Sequence, residues 1–306
     1  LTDENGGADY PRHVQVHLNG ELVPQDRARV SVFDRGYLFG DGLYEGLRSF
    51  DGHVVAMDRH IARLREGLAE ARIPWDAAKM GPLTEQLLEA NNAKDAFIYW
   101  QITRGVPAAG EPLRARVLTG PVTPTVMGFC YATPPLSSHA KPASKRVITT
   151  RDTRWLRGAM KSISLLGGVL GAIEASEAGT DDAILIRDGI VAEGTSSNVI
   201  VAWEDAHGTT RIATPSMQSA PILAGVTRDL LLDAVPEIES RVITQRELLE
   251  ASEVMLTGTL SMVTSLVEID GRPVGNGKPG PVAQRLIDQL RASIEQEHDA
   301  GARALR

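Results

Sequence analysis

Two periodicities divide the chain between them, and the places where one gives way to the other outline its elements. Across residues 14–23 apolar and polar side chains alternate around Asn19-Gly20, which predicts two antiparallel strands joined by a tight turn. Strands are predicted again at 97–103 and 125–133, where aromatic and β-branched residues concentrate. The stretch between them, 105–123, carries three prolines and reads as a loop. From 60 the period lengthens: Ile61, Leu64, Leu68 and Ala71 fall on one face with charges opposite, predicting a helix, and a second is expected at 83–91.

Proline and serine crowd into 133–144, which predicts an interdomain linker. The expected organisation is a flexible arm at 1–10, an N-terminal α/β domain at 11–133, a linker at 134–144 and a C-terminal domain at 145–306. In the second half the pattern predicts a strand at 146–150, a helix at 165–178 ending on Gly179 and a hairpin turning on Asp188-Gly189. Strands follow at 198–203, 254–257 and 263–269, with helices at 226–234 and 282–297. Strands and helices mix without regular alternation, so the class is α+β.

Composition narrows the function. The 306 residues suffice for two domains, and 42% hydrophobic with 23% charged residues is ordinary for a soluble globular protein. A net charge of −7 argues against nucleic acid as a partner, since that needs a basic face. The one cysteine, Cys130, lies in an apolar run, excludes an intrachain disulfide and reads as a buried, inert thiol of a reducing compartment. No run approaches the roughly 18 apolar residues of a membrane helix, and the polar start lacks a signal peptide's apolar core, so a cytoplasmic enzyme is expected.

There are only six lysines, and five lie in polar surroundings. Lys161 differs: it follows Trp155 and Leu156 and precedes an apolar, glycine-rich helix start. An amine shielded from water is held closer to its neutral form, the form that attacks an aldehyde. A lysine whose apolar stem merely lies along a helix end fits the same pattern.

Five blocks in order carry a resemblance: 34–52 (DRGYLFGDGLYEGLRSFDG), 152–170 (DTRWLRGAMKSISLLGGVL), 181–200 (DDAILIRDGIVAEGTSSNVI), 222–231 (ILAGVTRDLL) and 254–271 (VMLTGTLSMVTSLVEIDG). Together they resemble the fold type IV, branched-chain aminotransferase-like enzymes that use pyridoxal 5'-phosphate (PLP), and among these the D-amino-acid transaminases most. The resemblance implies a two-domain enzyme with its site between the domains, and a homodimer. It also implies that Lys161 is the Schiff-base lysine and moves the proton at the substrate Cα. By the same matching Glu193 faces the pyridine nitrogen, where a carboxylate keeps that nitrogen protonated and the ring able to accept electrons. Ser196, Ser197 and Leu223 would line the cofactor.

A phosphate needs anion ligands. Val226 and Thr227 open a predicted helix whose first N–H groups and dipole suit one. The resemblance adds Arg63 and Thr259 to this set. No metal is implied. For the substrate it implies that Tyr44 helps trap the carboxylate, and the E-G-L-R run brings in Arg48. Where the D-specific enzymes carry arginine-x-histidine, this chain has a longer loop with Arg114-Ala115-Arg116. Two guanidiniums can still clamp a carboxylate. The expected activity is amino-group exchange between a D-amino acid and a 2-oxo acid such as 2-oxoglutarate or pyruvate. The E-G-L-R run and the missing histidine keep an L-branched-chain or (R)-amine transaminase open, and 4-amino-4-deoxychorismate lyase shares the scaffold.

Overall fold

Asn19 and Gly20 both take left-handed backbone (φ 53° and 99°), the conformation a two-residue hairpin needs, and across them β1 (Gln15–Leu18) pairs with β2 (Glu21–Pro24). The computed structural model describes residues 14–204 and 208–304, so the arm expected at 1–10 and the first three residues of the expected N-terminal domain lie outside the described residues. Two compact units emerge, Leu1–Pro134 and Pro135–Arg306. The stretch 134–144 holds a 3₁₀ turn, Leu136–His139, and the first residues of a strand.

The first unit continues with a short helix α1 (Arg35–Phe39), β3 (Gly42–Phe50), β4 (His53–Val54), α2 (Met57–Ala71), α3 (Met80–Ala90), β5 (Ala96–Thr103) and β6 (Thr125–Ala132). α3 begins earlier than its pattern suggests because Pro82 sits in the first turn, where a helix needs no N–H from it. The strands form one antiparallel sheet, ordered β2-β1-β6-β5-β3-β4. One face carries Leu43, Leu47, Ile98, Trp100 and Ile102, all buried, and meets α2 and α3. There the Trp100 indole donates to Thr84 Oγ1 at 2.9 Å, and burial pushes the Cys130 thiol up to about 11, leaving it un-ionised. The other face is an aromatic ladder: Tyr44 stacks on Tyr99 (5.6 Å between centroids), Tyr99 on Phe129 (5.1 Å), and Phe97 meets Tyr131 (5.3 Å).

The second unit runs β7 (Ala143–Arg151), α4 (Leu166–Glu177), β8 (Asp182–Arg187), β9 (Ile190–Gly194), β10 (Asn198–Glu204), β11 (Thr210–Pro215), α5 (Val226–Ala234), β12 (Ile238–Arg241), α6 (Gln245–Leu249), β13 (Glu253–Gly258), β14 (Met262–Ile269), β15 (Arg272–Pro273) and α7 (Pro281–Ala304). Its sheet is ordered β12-β11-β10-β13-β14-β7-β8-β9, with β15 added on β14. β7 pairs parallel with both β14 and β8, while β8 and β9 close antiparallel on Asp188-Gly189 (φ 52° and 77°). Val147, Ile184, Val199, Val254, Leu256 and Leu266 form its core, and α5 and α7 pack on β13 and on one another.

α4 is inverted relative to an ordinary amphipathic helix. Its glycines face inward, Gly167 against Arg154 and Gly171 against Leu185 and Thr195, where a side chain would crowd. The aliphatic stripe of Leu165, Leu166, Val169, Leu170 and Ile173 is exposed, Leu166 at 69%. Among the described residues no helix is long and apolar enough to cross a membrane.

Candidate active site

Lys161 lies in the irregular segment between β7 and α4, half-buried, and its charge acts on Glu193. Glu193 sits near the end of β9, 6% exposed. Its Oε1 accepts from Arg154 Nη1, and its Oε2 accepts from Asn198 Nδ2 at 3.1 Å and from the Leu223 amide at 3.0 Å. Burial pushes this carboxyl above the usual carboxylate range, against the opposing pull of Arg154, the Leu223 amide and Lys161. A carboxylate so placed is a stronger base than one in water.

Arg154 in turn is gripped from behind. Its Nε and Nη2 donate to the two oxygens of buried Asp152 at 2.9 and 3.1 Å, and Arg187 adds a further bond to Asp152 at 3.2 Å. Burial works against the Arg154 cation, but Asp152 and Glu193 more than offset it, so the guanidinium holds its proton more tightly than usual. Neither Asp152 nor Arg154 stood out in the sequence. They open the block at 152–170 without a role of their own there, because the partner that gives Arg154 its meaning, Glu193, is 39 positions away.

Asn198 links this carboxylate to the start of α5. Its Nδ2 also donates to the Leu223 carbonyl at 3.0 Å, and its Oδ1 lies where a Cβ on Gly225 would be, 1.9 Å away. Gly225 therefore has to be glycine for strand and helix to meet. It caps α5 with no side-chain bond to the first turn, so the N–H groups opening at Val226 and Thr227 keep their anion-binding character. The turn after β13 lies close by: Gly258 comes near the Ser196 carbonyl and Ser197 Cβ, and Thr259, half-buried, follows it. Ser196 is exposed, whereas the Ser197 hydroxyl is sealed from solvent with no hydrogen-bond partner among the described residues.

The remaining expected residues lie in the first unit. Tyr44 and Arg48 alternate onto the aromatic face of β3. Arg48 is buried there, donating to the Pro134 carbonyl at 2.8 Å and lying over the Phe50 ring. Arg63 is on the opposite, helix-covered face, where it donates to both oxygens of fully buried Glu45 (2.9 and 2.6 Å) beside His60. Burial alone would raise the Glu45 carboxyl, but Arg63 and His60 bring it down to about 2. Arg114 and Arg116 are exposed on the loop between β5 and β6, and Arg114 lies over Phe39. No group of acidic, histidine or cysteine residues among the described residues is arranged to hold a metal ion.

The chain matches the family model described as amino-transferase class IV over residues 42–269. It is 37% identical to a D-alanine aminotransferase of Bacillus licheniformis, across 93% of this chain and 98% of that one. It is 32% identical to a putative branched-chain-amino-acid aminotransferase of Methanocaldococcus jannaschii, across 91% and 96%. Among solved structures, the T.th. branched-chain amino acid aminotransferase complexed with N-(5'-phosphopyridoxyl)-L-glutamate superimposes with a TM-score of 0.79. It is 25% identical, covering 93% of this chain and 95% of that one.

Proposed function

The chain belongs to the class IV aminotransferases and is a PLP-dependent transaminase; from that premise we propose that it exchanges the amino group between a D-amino acid and a 2-oxo acid, with Lys161 as its catalytic residue. The Asp152–Arg154–Glu193–Asn198 chain beside Lys161 carries this reading. Its residues fit PLP on three counts: an amine, a buried carboxylate of raised basicity, and a helix start open to an anion. When bound, PLP supplies an electron-accepting ring conjugated to the amino-bearing carbon of the substrate.

In this reading Glu193 holds a proton at the ring nitrogen, and Arg154, steadied by Asp152, keeps Glu193 in place. Lys161 Nζ would take the proton from the substrate Cα. The N–H groups of Val226 and Thr227, with Thr259, bind the phosphate, and Leu223, Ser196 and Ser197 line the cofactor; Arg63, whose Nε and Nη2 hold Glu45, would join them through its remaining edge. Tyr44, Arg114 and Arg116 receive the substrate carboxylate. Arg48 gives one of its five N–H groups to Pro134, so a substrate contact from it would use another edge of the guanidinium.

D-specificity is supported by the 37% identity to a D-alanine aminotransferase. A branched-chain reading is favoured by the Glu45–Arg48 run and by Arg116 in place of a histidine. We expect D-alanine with 2-oxoglutarate to be turned over, and L-leucine and (R)-1-phenylethylamine not, in an assay of each donor. Consumption of L-leucine alone would overturn D-specificity, and pyruvate release without an acceptor would mark a lyase.

The exposed stripe of α4 supports a homodimer. Five aliphatic side chains on one face, with Trp155 and Leu156 exposed nearby, form an apolar surface that a second copy would cover. Sedimentation equilibrium is expected to give a dimer, and Leu166→Glu with Leu170→Glu to shift it toward monomer. A native mass equal to one chain before any substitution would reject the assignment. The single, buried Cys130 suits a reducing compartment, and we place the enzyme in the cytoplasm.

A further inference from the structure

The loop between β5 and β6 has no regular structure over some twenty residues, yet it is held at several points. At its base Gly105 takes left-handed backbone (φ 80°) and lies so close to the Thr123 carbonyl that a Cβ would fall 1.9 Å from it. Midway, Glu111 Oε1 accepts from Thr119 N at 2.9 Å, Thr119 Oγ1 at 2.7 Å and Gly120 N at 2.5 Å. At the tip, the backbone that carries Arg114 and Arg116 is held by a residue from elsewhere, the buried Arg35 of α1.

Arg35 uses its guanidinium as a three-way fork. Nη1 donates to the Ala115 carbonyl, Nη2 donates to the Arg116 carbonyl at 3.1 Å, and Nε donates to Asp41 at 2.8 Å. Its own amide donates to the Gly105 carbonyl at 2.9 Å, so one residue fixes both base and tip. Behind it stands a chain of anchors. Asp41 also receives Arg104 through both oxygens (2.8 and 3.0 Å), and Arg104 donates to the carbonyls of Ala71 and Arg72 at the end of α2. The loop tip is thereby tied to a helix of the unit's core.

We infer that Arg35 is the positioning residue of the substrate-carboxylate loop: it sets where the Arg114 and Arg116 guanidiniums stand without touching substrate itself. The inference rests on the reading that these two arginines receive the carboxylate. A lysine at 35 would keep the charge beside Asp41 but has no planar fork to reach two successive carbonyls. Such a loss should change how the substrate is held rather than the chemistry at Lys161.

Holoenzyme carrying Arg35→Lys, Arg114→Ala/Arg116→Ala, or all three substitutions tests this by steady-state kinetics with the amino donor. The expected result is a rise in KM of about 10- to 100-fold for Arg35→Lys with little change in kcat. That rise should disappear when Arg114 and Arg116 are already alanine, because positions acting through one contact are not additive. Trypsin cleavage after Arg114 and Arg116, mapped by mass, should also quicken in Arg35→Lys. Asp41→Ala, which removes the Nε anchor while leaving the two carbonyl contacts, should give the same shift in weaker form if Arg35→Lys fails to fold. If Arg114→Ala/Arg116→Ala raises KM and Arg35→Lys does not, the inference about Arg35 is wrong and the carboxylate reading stands. If Arg114→Ala/Arg116→Ala leaves KM unchanged, the carboxylate reading falls and takes the inference with it. Equal losses from Arg35→Lys on both backgrounds would make Arg35 a general structural residue and also overturn the proposal.

Discussion

Lys161→Ala is expected to slow transamination on the order of 10³- to 10⁴-fold and to leave the fold intact. The size follows from the two tasks proposed for this one amine, holding the cofactor and moving the Cα proton. Tolerance of the change follows from its setting: Lys161 is half-buried in an irregular segment, outside every strand and helix. A stopped-flow half-reaction with the amino donor measures the rate, and the visible absorption of the holoenzyme reports covalent attachment. Near-normal rates with an unchanged spectrum would remove Lys161 from both tasks. A lowered thermal midpoint without kinetic loss would make it a structural residue.

Glu193→Gln should lower the rate about 10²- to 10³-fold, the usual effect of removing one preorganised charge partner, with the fold retained. Arg154→Ala should damage stability as well, by about 3–5 kcal/mol, because it leaves a buried carboxylate without its cation. The pH dependence separates the two. Burial raises the Glu193 carboxyl above its unfolded value of 4.5, so whatever stability it contributes is present below that pH and lost as pH rises through the folded-state value. The Arg154→Ala deficit should therefore widen between pH 5 and pH 8 in thermal denaturation. A deficit that narrows toward alkaline pH would mean that Arg154 is not the group sustaining the ionised Glu193.

The turns were the most legible part of the chain. Asn19-Gly20, Asp188-Gly189 and Asp270-Gly271 all take the left-handed backbone their residue types favour, and the hairpins close on them. The helix at Val226–Ala234 matches its expected bounds, since its apolar spacing and glycine start agree. β3 was not legible. It contains Gly42, Glu45, Gly46 and Arg48, and nearly every position is buried, so the usual alternation of polar and apolar residues is absent. Its polar residues are buried because partners distant in sequence satisfy them: Arg63 and His60 for Glu45, and Pro134 for Arg48. The site divides in the same way. Lys161 and Glu193 could be placed from blocks of sequence, whereas Arg154 and Arg35 gain their roles only from contacts 39 and 80 positions away. Local pattern carries no trace of such pairs.

β3 also has a consequence for how this enzyme can diversify. Tyr44 and Glu45 are neighbours in the chain but lie on opposite faces of the sheet, one among stacked aromatic rings and the other in a buried ion cluster. Tyr44, the one position of this strand that is not buried, can be exchanged to reshape the aromatic face, whereas a side chain at Gly46 would meet the Phe97 ring and odd-numbered positions answer to the core beneath. A lineage can thus retune one face by point substitution without disturbing the other. Insertion or loss of a single residue would interchange the two sets at once, so length variation is channelled into the loops, where the segment carrying Arg114 and Arg116 already differs.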